Sequence, residues 1–334
     1  MTDATDDPAI RFAVIGVDHP HALELTGELL IAGAECVGWV ETPGEPDGLF
    51  PAIFPDIASV DVDDALDAGI DLVVVAAVPN LRPDYAIAAM RSGADVLVAK
   101  PAATDMDQLA EIETTAASTG RRWWVAFTEH FTSRAVNRAH SLIADGRIGT
   151  VRHVIGLGPH RRGDTRPAWF SDPARSGPML ADLASHQLHH AATLLGSTDL
   201  SVVAARTTAA PGGTHPEILA EVMLEGGTGS AYCRVDWMTP AGLPTWGDVR
   251  LMITGDTGTI EVRSNCDPGG ADDGDHLIVV DADGVERLDC RADLLTWATQ
   301  LCADVRDGTE ALVTTAHSLA VSRLALDAAA VARR

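Results

Sequence analysis

The chain has 334 residues, of which 46% are hydrophobic, and a formal net charge of -24 at pH 7. A chain of this length is expected to form two domains, because a single hydrophobic core stops growing at about 250–300 residues. The strong negative charge argues against nucleic acid and anionic membrane surfaces as partners, since it would repel their phosphate groups.

The sequence also lacks the features of a membrane or secreted protein. Its longest apolar run, at 72–78, is far shorter than the roughly 18 residues of a membrane-spanning helix. The first residues are acidic and polar, without the basic segment and apolar run of a secretory signal. Five scattered cysteines form no CxxC pair, so neither a disulfide framework nor a cysteine-rich zinc site is predicted. We therefore expect a soluble, cytoplasmic protein.

Over residues 1–128, short apolar segments alternate with segments of helical periodicity. Strands are predicted at 11–15, 36–40, 71–77, 95–99 and 123–127, and helices at 21–33, 61–68, 85–92 and 105–119. This alternation is typical of a parallel sheet that is covered by helices on both faces, and ligands bind such sheets at the carboxyl ends of the strands. Because Glu41, Pro79, Asn80 and Lys100 follow strand ends, we predict that these four crevice residues lie close together.

The pattern changes between residues 129 and 334. Helices are predicted at 133–145, 179–195, 294–307 and 314–332, and strands at 151–156, 201–207, 217–224, 229–237, 249–254, 258–262 and 276–280. Turn signals between the later strands indicate an open, mostly antiparallel sheet. A sheet with helices on one face leaves its other face for a partner, so we expect a homodimer or homotetramer.

The turn after the first strand contains candidates for binding the pyrophosphate of a dinucleotide. Backbone N–H groups at a helix N-terminus attract anions, and Gly16, Asp18, His19 and His21 lie in this turn. Only Gly16 matches the GxGxxG fingerprint, because Asp18 and His21 stand at its second and third glycine positions. Capping of the helix is the alternative role of Asp18. Glu41 could accept hydrogen bonds from an adenosine ribose, which favours NAD over NADP.

Lys100 is the one lysine among the 24 basic residues of the chain. It precedes Pro101, and a residue before proline is held extended, so we expect its side chain to enter the crevice. Unlike arginine, a buried lysine changes its pKa readily and can take part in proton transfer. Lys100 is therefore a candidate for polarising a carbonyl or hydroxyl oxygen, with a salt bridge at the surface as the alternative.

A second group of reactive side chains lies in the predicted helix at 179–195. Asp182 and His186 are four residues apart and share one helical face, with His189 or His190 continuing near it. An imidazole beside a carboxylate is a credible general acid or base near neutral pH. With His160, the same side chains are also compatible with a metal site, although the spacing is not a strong zinc signature. Acid and base catalysis is the preferred interpretation, and no metal is assigned.

The loop before this helix, GPHRRGDTRPAWF, is rich in groups that bind small polar molecules. His160, Arg161, Arg166 and Trp169 could hydrogen-bond a polyol or clamp a carboxylate. We assign these four residues, together with His190, to substrate binding. Balancing the charge of an acidic protein is the alternative role of the arginines.

With these residues in place, the chain resembles the Gfo/Idh/MocA oxidoreductase family over nearly its whole length. AVPNLRPDYAIAAMRSGADVLVAKPAATDMDQL is similar to the stretch around the family's Glu-Lys-Pro motif, and DLASHQLHH is similar to its Asp-x-x-x-His helix. The glycine fingerprint is incomplete, and three other positions depart from the family pattern. Ala99 replaces the motif's Glu, Pro83 stands where a His often follows Pro-Asn, and His189 replaces a frequent Asp.

The resemblance implies an α/β protein with two domains. Residues 1–128 would form a Rossmann-type dinucleotide-binding domain with a doubly wound parallel sheet. Residues 129–334 would form an α/β domain with an open, mostly antiparallel sheet for substrate binding and oligomerisation. The resemblance also implies NAD(P)-dependent oxidation or reduction of sugars, polyols or related hydroxy compounds, with NAD as the expected cofactor and NADP as the alternative.

Lys100, Asp182 and His186 match the family's catalytic positions. We predict that a nicotinamide bound by the first turn and the crevice residues, Lys100 included, exchanges hydride with a carbinol carbon of a carbohydrate-like substrate. His186 would move the hydroxyl proton, Asp182 would orient it, and Lys100 would stabilise the developing alkoxide. One alternative is a non-redox or metal-assisted lyase or hydrolase on the same scaffold. The other is a catalytically lapsed protein that binds a nucleotide or sugar.

Overall fold

The computed structural model describes residues 8–44, 48–67, 69–163, 166–210, 217–270 and 273–333. The chain forms two compact units, each assembled from three segments. The first unit comprises Met1–Ala99, Ala110–Val125 and Thr296–Thr315, and the second comprises Lys100–Leu109, Ala126–Leu295 and Ala316–Arg334. A simpler division into domains at 1–128 and 129–334 stays a prediction.

The strands form one sheet in each unit. In chain order they are β1 (Arg11–Ile15), β2 (Glu35–Val40), β3 (Leu72–Val75), β4 (Asp95–Ala99), β5 (Trp123–Ala126), β6 (Val151–Pro159), β7 (Leu200–Thr208), β8 (Leu219–Gly226), β9 (Gly229–Asp236), β10 (Arg250–Gly255), β11 (Thr259–Arg263), β12 (His276–Asp281) and β13 (Gly284–Asp289). The first sheet has the order β2-β1-β3-β4-β5, and the second has the order β13-β12-β11-β10-β6-β9-β8-β7.

The helices include several that are only one turn long. In chain order they are α1 (His21–Ile31), α2 (Leu49–Ile53), α3 (Val62–Ala65), α4 (Arg82–Ser92), α5 (Met106–Thr119), α6 (Thr128–Phe131), α7 (Arg134–Ala144), α8 (Pro173–Ser176), α9 (Met179–Asp182), α10 (Ala184–Leu194), α11 (Trp297–Asp307) and α12 (Thr315–Ala332). None of these helices is long and apolar enough to cross a membrane.

The first sheet has the parallel arrangement that the sequence predicts. The pairs β1–β2, β1–β3 and β3–β4 all run parallel. Every residue of β3 and β4 is buried, as is typical of parallel strands that are covered on both faces. The chain order reverses beside β1, which lies between β2 and β3, and this is where parallel α/β sheets bind ligands. The predicted Rossmann-type fold is confirmed.

The second sheet is antiparallel except for the parallel pair β6–β9. Helix α10 packs against β6 and β9 on one face. Large apolar side chains on the other face lie between buried neighbours along their strands, so they point away from the packed face. Among them, Met223 and Met252 are 51% and 44% exposed. The predicted open, mostly antiparallel sheet is confirmed.

Several elements of the second unit differ from the prediction, and its one-turn helices α6 and α8 were not expected. The helix expected at 179–195 is divided into α9 and α10, which Leu183 separates. Strand β13 was not predicted, because its side chains are almost all exposed and give no apolar periodicity. It is held at the edge of the sheet by its pairing with β12.

Residues 296–315 belong to the first unit although they lie near the end of the chain. Nη2 of Arg122, the residue before β5, donates a hydrogen bond of 3.0 Å to the carbonyl oxygen of Val305. Nε1 of Trp124, within β5, donates to Oε1 of Glu310 at 3.1 Å. These bonds attach β5 to a segment that the sequence assigns to the C-terminal half.

Candidate functional site

Gly16, directly after β1, occupies a position that only glycine fits. Its φ is +82°, and its N–H donates a hydrogen bond of 3.0 Å to the carbonyl oxygen of Val40. A Cβ atom built at Gly16 would collide with the backbone of Ala77, in the loop after β3. Glycine is therefore needed both for the backbone conformation and for the close approach of the two loops.

Substitution of Gly16 by alanine is expected to lower the free energy of unfolding by more than about 3 kcal/mol, because both effects oppose a side chain. Gly33→Ala is the matched control. Gly33 has a similar φ of +87°, but no atom lies within 4 Å of its Cβ position, so the loss should be near ~1 kcal/mol. Denaturant unfolding compares the variants, and equal losses would contradict the collision.

Asp18 connects the first turn to the loop after β2. Its Oδ2 accepts a hydrogen bond of 2.6 Å from Oγ1 of Thr42, and a Cβ at Gly44 would collide with its carboxylate. Helix α1 begins at His21, and Pro20 is its N-cap residue, so Asp18 does not occupy the N-cap position considered for it. The side chain instead fixes the relative position of two loops at the predicted cofactor site.

The other predicted cofactor residues of the first unit also follow strand ends. Glu41 is exposed directly after β2, whereas Pro79 is buried and Asn80 is half-buried in a short 3₁₀ turn after β3. His19 and His21 are half-buried in the first turn, with ring centroids 4.4 Å apart. The assignment of these residues to cofactor binding stays a prediction.

Sequence reasoning did not identify Arg82, whose side chain is fully buried beside the same loops. Its Nε donates to the carbonyl oxygen of Ala77 at 2.7 Å, and its Nη1 donates to that of Ala99 at 3.0 Å. One guanidinium thus joins the loop after β3 to the last residue of β4. Arginine is usually exposed, so nothing in the sequence indicates this role.

Lys100 and Asp182 form an ion pair within the second unit. Nζ of Lys100 lies 2.9 Å from Oδ1 of Asp182, and the two side chains are only 6% and 14% exposed. Lys100 directly follows β4, its peptide bond to Pro101 is cis, and Asp182 ends α9. Because protein screens charges less than water does, the two groups interact more strongly here than on the surface.

His186 follows Asp182 by one helical turn and is 1% exposed on α10. Leu183, between the two helices, keeps helical backbone angles of φ -75° and ψ -45°. The division of the predicted helix therefore does not disturb the i to i+4 relation between Asp182 and His186. All three predicted catalytic residues lie in the second unit.

Two further residues of this region, Glu129 and Gln187, were missed at the level of the sequence. Nε2 of Gln187 donates a hydrogen bond of 2.6 Å to Oε2 of Glu129, and Oε1 of Glu129 lies 3.5 Å from Nε2 of His160. Burial raises the pKa of Glu129 to about 8, although the charge of Lys100 opposes this shift. Burial, reinforced by Lys100, lowers the pKa of His160 to about 3. A signal existed, because Glu129 lies just past the end of β5.

A pocket of about 310 Å³ opens beside Asp182 in the second unit. Phe170 and Trp237 contribute aromatic rings to its wall, and Glu217 contributes a carboxylate. The guanidinium of Arg166 lies 4.6 Å from the ring centre of Phe170 and 5.3 Å from that of Trp237. Apolar walls with a few polar groups are typical of pockets for small molecules.

Trp169 and Arg161, also predicted to bind substrate, have other neighbours in the structure. Trp169 is 2% exposed, and its ring centroid lies 5.7 Å from that of Phe170. Nη2 of Arg161 donates to the carbonyl oxygens of Pro240, at 3.2 Å, and of Leu243. A role of either side chain in substrate binding stays a prediction.

Five histidines of the second unit pack together and are called the histidine cluster: His130, His140, His189, His190 and His317. Nδ1 of His130 lies 2.7 Å from Nε2 of His189, and Nδ1 of His189 lies 2.9 Å from Nε2 of His317. The rings of His130 and His140 stack with centroids 4.2 Å apart. His190 is fully buried among these rings, and its predicted contact with substrate stays a prediction.

Burial lowers the pKa of every histidine in the cluster. The pKa falls to about 4 for His140 and His317 and to about 3 for His190. For His130 and His189, neighbouring imidazoles further oppose a positive charge, and the pKa lies well below its ordinary value. The cluster is therefore uncharged at neutral pH.

The described part of the chain contains no group of three or more His, Cys, Asp or Glu side chains placed to hold a metal ion. His160 and His190, which were considered as ligands together with Asp182 and His186, have different surroundings. His160 faces Glu129, whereas His190 belongs to the histidine cluster.

Two family models match the chain. Residues 10–127 match the model described as an oxidoreductase family with an NAD-binding Rossmann fold, and residues 136–261 match the model of the GFO/IDH/MocA C-terminal domain. The two matched regions follow one another and together cover most of the chain.

Individual relatives agree with these matches. The chain is 25% identical over 229 residues to 1,5-anhydro-D-fructose reductase of Ensifer adhaerens, and it spans 66%, just under two thirds, of that reductase. The crystal structure of a protein from Erwinia carotovora atroseptica is 32% identical, with a TM-score of 0.93 and coverage of 97% of this chain and 98% of that one. Levoglucosan dehydrogenase in complex with NADH and levoglucosan is 16% identical and shares the fold, with a TM-score of 0.80 and 98% of each chain covered.

Proposed function

The chain belongs to the Gfo/Idh/MocA oxidoreductase family, and from this premise we propose that it transfers hydride between NAD(P) and a sugar, polyol or related hydroxy compound. The observation that carries the proposal is the buried ion pair of Lys100 and Asp182 beside a pocket for a small molecule. Loss of the hydroxyl proton places negative charge on the carbinol oxygen before hydride leaves the carbon, and addition of hydride to a carbonyl group creates the same alkoxide in the reverse direction. A fixed ammonium group stabilises that charge.

The three catalytic candidates have distinct roles in this proposal. The ammonium of Lys100 has three N–H donors, so it can hold Asp182 and also donate to a substrate oxygen. Asp182 holds the amino group of Lys100 in place and orients His186. In oxidation, His186 accepts the hydroxyl proton while the C–H electron pair leaves as hydride, and the products are a carbonyl compound, the reduced cofactor and one proton. In reduction, His186 returns the proton.

The pocket beside Asp182 supports a carbohydrate-like substrate. A sugar ring combines apolar C–H faces with hydroxyl groups at its edge. Phe170 and Trp237 offer apolar surfaces for the former, and Asp182 and Glu217 offer acceptors for the latter. Arg166, which lies over both aromatic rings, is a further donor near the wall.

The first unit has residues that fit a dinucleotide. Gly16 leaves the turn after β1 without a side chain, at the point where the strand order reverses. Glu41 is exposed at the end of β2, where a carboxylate can accept hydrogen bonds from ribose hydroxyls and would repel a 2′-phosphate. These features favour NAD over NADP. When bound, the nicotinamide supplies the acceptor or donor of hydride.

Fluorescence titration of the full chain with NADH and NADPH tests the cofactor. We expect NADH to bind at least tenfold more tightly, and Glu41→Gln to reduce that preference because it removes the negative charge. Glu35→Gln, an exposed carboxylate at the opposite end of β2, is the matched control and should leave the preference unchanged. Equal affinities in the unmodified chain would contradict the NAD assignment, and binding of neither nucleotide would reject the proposed function.

Turnover is tested separately with a panel of sugars and polyols. The panel includes 1,5-anhydro-D-fructose and levoglucosan, which are named with two of the similar proteins. NADH binding without turnover on the whole panel would instead support a binding protein.

We also propose that the exposed face of the second sheet binds another copy of the chain, giving a homodimer or homotetramer. Met223 and Met252 lie on that face and are each more than two fifths exposed. Contact with a second copy would remove these apolar side chains from water.

A further inference from the structure

Glu129 has two carboxyl oxygens with different partners. Its side chain is 5% exposed on α6, directly after β5. Oε2 accepts a hydrogen bond of 2.6 Å from Gln187, and Oε1 faces Nε2 of His160 at 3.5 Å. The positions of Gln187 and His160 therefore decide which oxygen can carry a proton.

Strand β6 fixes the amide group of Gln187. A Cβ atom at Gly156 would lie 2.6 Å from Oε1 of Gln187, and one at Gly158 would lie 2.7 Å from its Nε2. Both distances are too short for a non-bonded contact, so the amide lies in a space that exists because both residues are glycine. The donor that Gln187 presents to Oε2 of Glu129 is thereby held in place.

The backbone fixes the tautomer of His160. Nδ1 lies 3.0 Å from the carbonyl oxygen of Gly158, and because a carbonyl can only accept a hydrogen bond, Nδ1 carries the proton. In the neutral ring, Nε2 then has a lone pair, and it faces Oε1 of Glu129. Two acceptors would face each other unless Oε1 is protonated.

The electrostatics of the site agree with this assignment. Burial raises the pKa of Glu129 to about 8 and lowers that of His160 to about 3. Between these values both groups are neutral, and the single proton between them belongs to the carboxyl group. The charged groups that act on the pair are Lys100, after β4, Asp182, at the end of α9, and Arg166.

We propose that Glu129 is a positioning residue of the reaction proposed above, resting as a neutral acid whose proton lies on Oε1 and faces Nε2 of His160. While Glu129 is neutral, Asp182 balances the charge of Lys100. Ionisation of Glu129 adds a second negative charge near Lys100, which weakens the stabilisation that the ammonium gives to a substrate alkoxide. The effect of Glu129 on the reaction rests on the proposed function, whereas its protonation rests on the geometry of the site.

Infrared spectroscopy of the full chain without ligands tests whether Glu129 is protonated, and the test does not require turnover. At pH 6.5 we expect the carbonyl stretch of a protonated carboxylic acid, which disappears in a titration centred near pH 8. Glu129→Gln should lack this band, whereas Glu111→Gln, an exposed carboxylate on α5, should retain it. Absence of the band from the unmodified chain, or its persistence in Glu129→Gln, would overturn the assignment whether or not the protein turns over.

The pH dependence of kcat/KM tests the consequence. Because Glu129 loses its proton near pH 8, we expect kcat/KM to be about tenfold higher at pH 7 than at pH 9. In Glu129→Gln, this ratio of the pH 7 value to the pH 9 value should be less than about twofold. A merely structural role would lower kcat/KM at every pH and leave the ratio unchanged, which would overturn the positioning role. If no substrate of the panel turns over, the proposed function and the effect of Glu129 on kcat/KM both fail. The infrared result then still decides whether Glu129 is protonated.

Discussion

Replacement of Lys100 by methionine is expected to lower kcat by about 10²- to 10³-fold and to leave the affinity for NADH within about threefold. Methionine keeps an unbranched side chain of similar length but removes the charge that stabilises the alkoxide in the proposed reaction. Steady-state rates with the best substrate of the panel, together with NADH fluorescence titration, measure the two effects separately. Unchanged turnover would remove Lys100 from the mechanism.

Loss of the ammonium also leaves Asp182 as a largely buried carboxylate without its counter-ion, and breaking a buried pair costs about 3–5 kcal/mol. The double variant Lys100→Met with Asp182→Asn serves as the control, because it removes both charges together. We expect it to recover much of the lost stability and none of the lost turnover. If turnover recovered together with stability, Lys100 would have a structural role alone.

Acidification from pH 6.5 to pH 4 is expected to destabilise the second unit steeply. In the unfolded chain the cluster histidines have pKa values near 6.5, whereas burial lowers the folded values to about 4 for His140 and His317 and about 3 for His190. Below pH 6.5 the unfolded state therefore binds more protons than the folded state, and the free energy of unfolding decreases as the pH falls. Each such histidine lowers the free energy of unfolding by ~1.4 kcal/mol for each unit by which the pH falls, until its folded pKa is reached.

Glu129 has the opposite effect on stability. Its folded pKa of about 8 exceeds the ordinary value of 4.5, so its contribution is greatest in acid and is lost as the pH rises towards 8. Thermal unfolding across the pH range measures the sum of these effects. A midpoint that stays constant between pH 6.5 and pH 5 would contradict the prediction for the cluster.

His140→Phe and His190→Phe identify the source of the acid sensitivity. Phenylalanine keeps an aromatic ring in the cluster but cannot be protonated, so each variant should take up about one proton fewer on unfolding. The described hydrogen bonds do not involve Nε2 of His140 or either ring nitrogen of His190. An unchanged slope of stability against pH would show that the sensitivity arises elsewhere.

The fold could be predicted from the sequence because its periodic signals are strong. Strands such as β3 are apolar at every position, and the helices between them have clear apolar faces. The prediction failed at β13, whose exposed residues give no periodic signal and whose only described neighbour in the sheet is β12. The interruption at Leu183 could not be seen either, because the residue keeps helical backbone angles.

Residues of the candidate site could be predicted only where a reactive side chain also has a distinctive position in the sequence. Lys100 stood out as a lone lysine at a strand end, and the spacing of Asp182 and His186 places them on one helical side. Glu129 has the same position after a strand, but its role depends on Gln187, which the sequence places on a distant helix. The histidine cluster was hidden for a similar reason, because its members come from α6, α7, α10 and α12.

The attachment of residues 296–315 to β5 has a consequence for the synthesis of the protein. A ribosome delivers the strands of the first unit early, but the residues that bind Arg122 and Trp124 follow 183 and 186 residues later. The N-terminal half therefore reaches its final form only after the middle of the chain has been made. A premature stop codon just before residue 296 would damage the half that was translated first.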